Sequence, residues 1–325
     1  MENRPIIEVD GLVKDYGRVR AVDHVTFAVG TGEVFGLLGP NGAGKTTIIS
    51  TLSCLVPPSA GSVRVCGLDV VSDSMEVRSR IGVVPQEIAL YQSLSARENL
   101  MFWGRMYGLS GTALTRRVDE LVEVVGLSER AEHRIDTYSG GMKRRINIAV
   151  GLLHNPQVLF LDEPTVGIDP QTRRSLLELA LELNARGLTI LYTTHYLEEA
   201  EFLCDRIGIV DGGKLIAIGT QSELVAQIGA TDTIAVEVEG LEERSLPSLD
   251  DLPDVLETVV DGGDIRINAK SGSSLLPSVV GRLTDAGVTI RSIDVSAPNL
   301  ESVFLHLTGR SLRPEPEAAE QDGEL

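Results

Sequence analysis

A layered α/β domain built on a largely parallel sheet, followed by a smaller α+β domain, is the fold class the sequence predicts. Three observations lead there. Compact aliphatic runs bounded by turn residues recur at Val34–Leu38, Ile81–Val84, Val158–Leu161 and Leu188–Tyr192, the pattern of strands buried on both faces. Segments of helical period with recognisable start signals lie between them. Texture and charge then change together near Gly229–Asp232: residues 231–325 carry 19 acids against 7 bases, a net charge of −12 out of −18 for the whole chain.

Val34–Leu38 runs into a glycine-rich turn and a helix over Thr46–Leu55. After Ile81–Val84, Ser95 and Glu98 form a capping box that opens a helix over Ser95–Gly108, and a second helix spans Thr112–Gly126. A helix over Met142–Leu153 follows Ser139, and Pro170 behind Asp169 is a first-turn proline. Thr220 and Glu223 make another capping box. Beyond the boundary, Ile234–Val238, Ile265–Ile267 and Val288–Val295 read as strands, and Leu275–Ala286 and Leu300–Leu307 as helices. In the last of these Leu300, Val303, Phe304 and Leu307 form one apolar stripe behind an Asn299 cap. The stretch Arg313–Leu325 has too little apolar content to fold and is expected to be a solvated acidic end. No internal repeat of domain-building length occurs. The expected organisation is therefore 1–229, 230–310 and 311–325.

With 325 residues, 42% hydrophobic and 23% charged, the chain can bury a sizeable core in one to three domains. Aromatics make up only 4%, a poor basis for stacking bases. The charge of −18 weighs against nucleic acid or an anionic membrane as a general partner. No run approaches the roughly 18 apolar residues of a membrane span, and the opening residues lack a charged-then-apolar leader. A cytoplasmic protein that does not cross a bilayer alone is expected. Cys54, Cys66 and Cys204 are scattered without ligand spacing, as thiols serving as small core residues in a reducing compartment. Four of the five histidines carry no signal, and His195 is the exception.

The strongest motif is Gly39–Thr46 (GPNGAGKT), which fits GxxxxGK[ST] between a strand and a helix. Gly39, Gly42 and Gly44, with Pro40, Asn41 and Ala43 between them, let backbone N–H groups converge on phosphate where a Cβ would intrude. The helix beginning at Thr46 and Thr47 presents its positive end to the same anion. Lys45 supplies a point charge to the terminal phosphates, and the Thr46 hydroxyl is a ligand for Mg²⁺. The strand Val158–Leu161 ends in Asp162 and Glu163, at the sheet edge where the phosphate loop also lies. Asp162 is then placed to hold the Mg²⁺ shell and Glu163 to polarise an attacking water. A solvated turn is the alternative for this acidic pair taken alone.

These residues resemble the ATP-binding-cassette (ABC) ATPases. Tyr138–Met142 (YSGGM), whose Gly141 stands 21 residues before Asp162, is similar to that family's LSGGQ signature, departing from it at Tyr138 and Met142. Gln86 matches the Q-loop glutamine that senses Mg²⁺ and the γ-phosphate, His195 the switch histidine, Tyr16 the aromatic that stacks on adenine, and Thr165–Asp169 the D-loop. The resemblance implies a P-loop NTPase (RecA-like) cassette with a helical subdomain inserted at about 87–155. It further implies Mg-ATP as cofactor, with Thr46, Gln86 and Asp162 toward the metal, and catalysis by Glu163 and His195. Two copies would pair head to tail, so that Ser139, Gly140 and Gly141 of each touch the ATP held by the other.

A narrower resemblance is to the ATPase subunits of drug-resistance exporters of the daunorubicin and doxorubicin type. It rests on YSGGM followed by Lys143, Arg144 and Arg145, and on Ala297–Gly309 (APNLESVFLHLTG), which is similar to that group's PSLEDVFLxLTG with Asn299 and Ser302 replacing the commoner residues. It implies integral membrane permease subunits on separate chains and a peripheral position on the cytoplasmic side of the cell membrane. Met101, Phe102, Trp103, Met106 and Tyr107 form the densest Met/aromatic cluster and are either helical core or a docking surface for a membrane subunit. An importer ATPase and a soluble, non-transport ABC ATPase stand beside the exporter as alternative readings. The cargo is not written in this chain.

Overall fold

The computed structural model describes residues 5–228, 232–239, 248–261, 264–296 and 299–309. In chain order the first compact unit, which ends at Thr220, contains β1 (Ile7–Tyr16), β2 (Val19–Val29), β3 (Val34–Leu38), α1 (Lys45–Leu52), β4 (Ala60–Val65), β5 (Leu68–Asp69), α2 (Ser74–Arg80) and β6 (Ile81–Val84). It continues with α3 (Ala96–Met106), α4 (Gly111–Val124), α5 (Gly140–Leu152), β7 (Val158–Asp162), α6 (Pro170–Ala185), β8 (Thr189–Thr194), α7 (Leu197–Leu203), β9 (Arg206–Asp211) and β10 (Lys214–Gly219).

Six strands form one sheet in the order β10-β9-β3-β8-β7-β6, parallel throughout except for the edge strand β10. All residues of β3, β7 and β8 are buried, which is why Val34–Leu38, Val158–Leu161 and Ile190–Tyr192 within them read as apolar runs. Their period of two sorts the side chains between two cores. Val34, Leu159, Leu161, Ile190 and Tyr192 face the helices α3 to α6. Phe35, Leu37, Val158, Phe160 and Leu191 face the smaller antiparallel sheet β2-β1-β4-β5 and α1. The helices α3, α4 and α5 pack on one another through residues such as Leu100, Leu114, Val118 and Leu121.

Local start signals act as the residue types require. Ser95 and Glu98 make both bonds of the capping box on α3. Asp169 accepts from the Thr172 N–H at 2.9 Å and Pro170 occupies the first turn of α6. Cys54, Cys66 and Cys204 are free thiols, and burial pushes that of Cys204 up, leaving it a core residue without thiolate chemistry.

The second unit holds α8 (Gln221–Gln227), β11 (Asp232–Glu239), β12 (Val255–Asp261), β13 (Asp264–Ala269), α9 (Gly272–Asp285), β14 (Thr289–Ser296) and α10 (Leu300–Thr308). The sequence suggested a boundary near residue 229. The division falls at Thr220 because α8 packs on α10 and so travels with the second unit. Residues 229–231 and the tail 313–325 lie outside the described residues, as do Ala297 and Pro298 of the closing stretch. Here four antiparallel strands in the order β12-β13-β11-β14 are covered on one face by α9, around Ile234, Val236, Ile265, Ile267, Val279 and Leu283. The Asn299 carboxamide caps α10 by accepting from Ser302 N–H at 3.0 Å, and Leu300, Val303 and Phe304 are buried.

Candidate functional site: a phosphate loop facing two carboxylates

Strand register decides which residues meet. Leu38 of β3 pairs with Thr194 of β8, and Asp162 of β7 pairs with Thr193. Three adjacent parallel strands therefore end together, and the chain leaves them as the Gly39 loop, Glu163 and His195. This carboxyl edge is where ligands sit in open α/β sheets.

The loop that leaves β3 is shaped by close approaches. A Cβ on Gly39 would come within 2.1 Å of the Val210 carbonyl oxygen, and one on Gly44, at φ +103°, within 2.6 Å of the Ala21 carbonyl. Only glycine fits either place. With Gly44 as its N-cap, α1 opens without any side-chain cap, so its first N–H groups face a pocket of about 270 Å³. Asn41, Gly42, Ala43, Gly44, Lys45, Thr46 and Thr47 line that pocket together with Gln86 and Glu163.

Inside the pocket Lys45, only 3% exposed, points its ammonium at three acceptors. These are the Glu163 carboxylate at 2.9 Å and the carbonyls of Gly39 and Pro40 at 2.6 and 2.9 Å. The other Glu163 oxygen meets His195 Nδ1 at 3.1 Å. Burial pushes the Glu163 carboxyl up, but the His195 hydrogen bond and the Lys45 charge outweigh it and hold the group below its ordinary value. Glu163 is thus an anion at neutral pH, held at positive φ (+42°) by bonds from its N–H to the carbonyl and hydroxyl of Thr193. Its neighbour behaves in the opposite way. Burial raises the Asp162 carboxyl although the hydroxyls of Thr193 (2.6 Å) and Thr46 (3.3 Å) donate to it.

Thr46 and Gln86 offer hydroxyl and amide oxygens to the pocket, and the Asp162 carboxylate, outside its lining, accepts from the Thr46 hydroxyl at 3.3 Å; together they make a hard-oxygen set that suits Mg²⁺. Among the described residues no group of three or more His, Cys, Asp or Glu could hold a metal. Such a set fits an ion that keeps water and phosphate oxygens in its shell, as Mg²⁺ does.

Ser139, Gly140 and Gly141 do not line this pocket. They start α5, where the Ser139 hydroxyl accepts from Met142 N–H at 3.3 Å. Ser139 and Gly140 are exposed, whereas Gly141 is buried so tightly that a Cβ would lie 2.0 Å from a Thr172 methyl. Tyr16, at the end of β1, is 47% exposed with the Lys14 ammonium 5.1 Å from its ring centre, and is also outside the pocket lining. The Met/aromatic cluster on α3 divides. Met101 and Trp103 pack against the core, Phe102 stacks edge-on against Tyr91 and Trp103, and Met106 and Tyr107 are exposed.

Residues 22–166 match the family model described as ABC transporter. The linearmycin resistance ATP-binding protein LnrL of Bacillus subtilis is 46% identical over 310 residues, covering 95% of this chain and all of that protein. The doxorubicin resistance ATP-binding protein DrrA of Mycobacterium tuberculosis is 41% identical over 93% of each chain. The chain belongs to the ABC transporter family. Among solved structures, an ATP-binding subunit of an ABC transporter aligns at TM-score 0.62 and 33% identity, covering 69% of this chain and 93% of that one. A dimeric, post-hydrolysis ATP-binding cassette bound to ADP and Pi aligns at TM-score 0.60 and 27% identity, covering 66% and 98%. As an ABC protein of the drug-resistance type, the chain binds ATP and is an ATPase coupled to transport. Among the described residues no helix is long and apolar enough to cross a membrane.

Sequence reading missed several members of this ABC site. Thr193, the shared partner of Asp162 and the Glu163 N–H, looked like an ordinary strand threonine. In the sequence Arg144 stands out only as part of the basic run Lys143–Arg145. It is 3% exposed and donates to the carbonyls of Pro85 and Gln86 at 2.7 and 2.6 Å, tying α5 to the Gln86 loop. Burial lowers its guanidinium below the usual arginine range.

The raised Asp162 carboxyl carries a stability prediction. A carboxyl whose folded value lies above its unfolded one favours the fold below the unfolded value, and that advantage is lost as pH rises through the folded value. At neutral pH the ionised, buried Asp162 therefore costs stability when no cation is near. Asp162→Asn is expected to raise the Tm of the nucleotide-free chain by a few degrees at neutral pH, with the gain shrinking below the carboxylate range. A fall in Tm at neutral pH would contradict the assigned cause.

Proposed function

We propose that the chain is the ATP-hydrolysing subunit of a multi-subunit exporter of drug-like or other hydrophobic substrates, two copies closing head to tail around two Mg-ATP. The observation that carries this reading is a separation. The phosphate loop, Lys45 and Glu163 share one pocket, and His195, outside its lining, is hydrogen-bonded to Glu163, while the exposed helix start at Ser139 and Gly140 touches neither. A helix start with free N–H groups is an anion site, and a facing copy would bring it a phosphate.

In this reading Lys45 and the loop N–H groups bind the phosphates, and Thr46, Gln86 and Asp162 hold the metal. Bound with the nucleotide, Mg²⁺ supplies neutralisation of charge on the phosphate oxygens. Glu163 orients the attacking water and accepts its proton, and His195 fixes the Glu163 carboxylate while reaching toward the γ-phosphate. Tyr16 stacks on adenine. Differential binding of the open and closed pair converts nucleotide binding into work on membrane permease subunits carried on separate chains, which places the chain at the cytoplasmic face of the membrane as a peripheral subunit. The exposed Met106 and Tyr107 at the end of α3 offer those subunits a contact surface. Export as the direction is supported by relatives named for doxorubicin resistance, linearmycin resistance and, at 40% identity in Ralstonia nicotianae, Nod factor export.

The test is the mass of the purified full chain in sedimentation. Mg-ATP is expected to double it and ADP is not. A chain that stays single at saturating Mg-ATP overturns the paired site.

A further inference from the structure

We propose that Glu199 is a positioning residue that holds Glu163 and His195 in mutual register by clamping the chain segments that follow one and flank the other. The proposal rests on the assignment of Glu163 and His195 as catalytic groups. It concerns a buried carboxylate that this assignment leaves unused.

Glu199 lies on α7 and is 1% exposed. Both its oxygens are saturated by groups from other elements. One accepts from the Thr165 hydroxyl at 2.6 Å, in the loop two residues past Glu163. The other accepts from the Thr194 hydroxyl at 2.6 Å and the Tyr192 hydroxyl at 2.9 Å, both on β8. Thr194 immediately precedes His195, and its hydroxyl oxygen also accepts from the Tyr196 N–H at 2.9 Å, so the turn that carries His195 is bracketed on both sides. A second route reaches the same imidazole. Arg173 of α6 places Nε 3.6 Å from Glu199, its guanidinium lies 4.2 Å from the Tyr196 ring centre, and the Tyr196 and His195 ring centres are 4.1 Å apart.

The chemistry asks for a carboxylate at this point. Three hydroxyl donors converge on it, and an ionised carboxylate is the side chain that only accepts. The two bonds of 2.6 Å are in the range of charge-assisted O–H···O⁻ bonds. Packing alone would be served as well by an apolar residue, since burying a charge carries a desolvation cost. What the charge adds is geometry: one rigid acceptor sets the distance between the Thr165 loop and the His195 turn. The 3.1 Å contact between His195 Nδ1 and Glu163 is the distance this would protect. Misplacement of a catalytic pair by about 1 Å costs on the order of 100-fold in rate.

The experiment uses the full chain with Glu199→Gln, Thr165→Val, their combination, and Glu198→Gln as an exposed neighbour on the same helix. Turnover is expected to fall about 10- to 100-fold in Glu199→Gln while KM for ATP stays within about twofold, because the loss sits in the reacting geometry. Thr165→Val, which removes one of the three hydroxyls bonded to Glu199, is expected to lose less, and the combination no more than Glu199→Gln alone, since the Thr165 contribution runs through Glu199. In the nucleotide-free protein the ¹⁵N signals of the His195 ring are expected to move in Glu199→Gln and not in Glu198→Gln. Unchanged turnover with an unmoved His195 signal overturns the clamp. A parallel fall in turnover and ATP affinity together with a lowered Tm also overturns it, by showing a merely structural role. Should Glu199→Gln fail to fold, Thr165→Val decides alone, and wild-type turnover in it overturns the proposal. Glu163→Gln run beside these reports on the underlying assignment: wild-type turnover there removes Glu163 from catalysis whatever Glu199 does.

Discussion

Glu163→Gln is expected to stop turnover while nucleotide stays bound. The substitution removes the anion placed between Lys45 and His195, and with it the group proposed to accept the proton of the attacking water. Loss of a general base costs about 10²- to 10⁴-fold, so multiple-turnover hydrolysis should fall to the edge of detection. Binding should strengthen, because the phosphates no longer compete with Glu163 for the Lys45 ammonium. The paired form then accumulates with ATP, and sedimentation in Mg-ATP should show it persisting where the native chain relaxes. Without nucleotide the same change destabilises the fold, since a buried ion pair that loses one member costs about 3–5 kcal/mol. The pH dependence follows from the direction of the Glu163 shift. A carboxyl held below its unfolded value stabilises the fold above that unfolded value, and the contribution is lost as pH falls through the folded value. The Tm gap between native and variant chains should accordingly be widest at neutral pH and close in acid. Hydrolysis at the native rate would remove Glu163 from its role.

The parts of the fold that could be read in advance share one property. β3 and β7 lie inside a parallel sheet and β6 at its edge is buried in all but Val83, so each leaves a continuous apolar run, and their observed bounds differ from the expected ones by at most one residue. β8 runs on to Thr194 because its last two threonines are buried by bonding to Asp162 and Glu199 and not by apolarity. The antiparallel sheet was illegible for the opposite reason. β1 and β2 alternate exposed and buried residues, and β1 is interrupted by irregular pairing between Val9 and Lys14, where Asp10, Gly11 and Lys14 break the period. The edge strand β12 exposes Leu256, Val259 and Val260 and gave no pattern either. In the second unit α9 starts at Gly272, three residues before the expected position, because the Gly272 N–H finds the Asp232 carboxylate at 2.7 Å. A partner 40 residues away leaves no local signal.

The same division runs through the site. Lys45, Thr46, Asp162 and Glu163 sit in motifs whose spacing is set by a single turn or a single strand end, so the sequence order already implies their chemistry. Thr193, Arg144 and Glu199 do their work across strands and helices, through bonds to Asp162, to the Gln86 carbonyl and to Thr165. Glu199 falls within a run of three acids among four residues, 198–201, that resembles any solvated helix face. Only burial separates it from Glu198. The available signal is indirect: α7 begins two residues after His195, so the inward face of its first turn has to pack close to that histidine.

Lys45→Ala is expected to abolish nucleotide binding, with affinity lowered about 100-fold or more in a fluorescent-nucleotide titration, since a charge-assisted bond contributes about 1.5–3 kcal/mol and an ammonium has three donors to offer to phosphate oxygens. The loss is not only at the ligand. In the nucleotide-free chain Lys45 neutralises Glu163 at 2.9 Å and is 3% exposed, so its removal leaves a buried carboxylate with His195 as its remaining partner. Burial then acts with less opposition, the Glu163 carboxyl moves upward, and the variant should be least stable relative to the native chain at neutral pH and recover as acid protonates it. Combining Lys45→Ala with Glu163→Gln separates the two effects. Removing both charges should restore much of the lost Tm, because neither member of the pair is left buried alone, while nucleotide affinity stays lost. If the double variant binds ATP as tightly as the native chain, the loop N–H groups and the α1 start hold the phosphates without Lys45. If it is no more stable than Lys45→Ala, the ion pair is not what steadies the nucleotide-free protein.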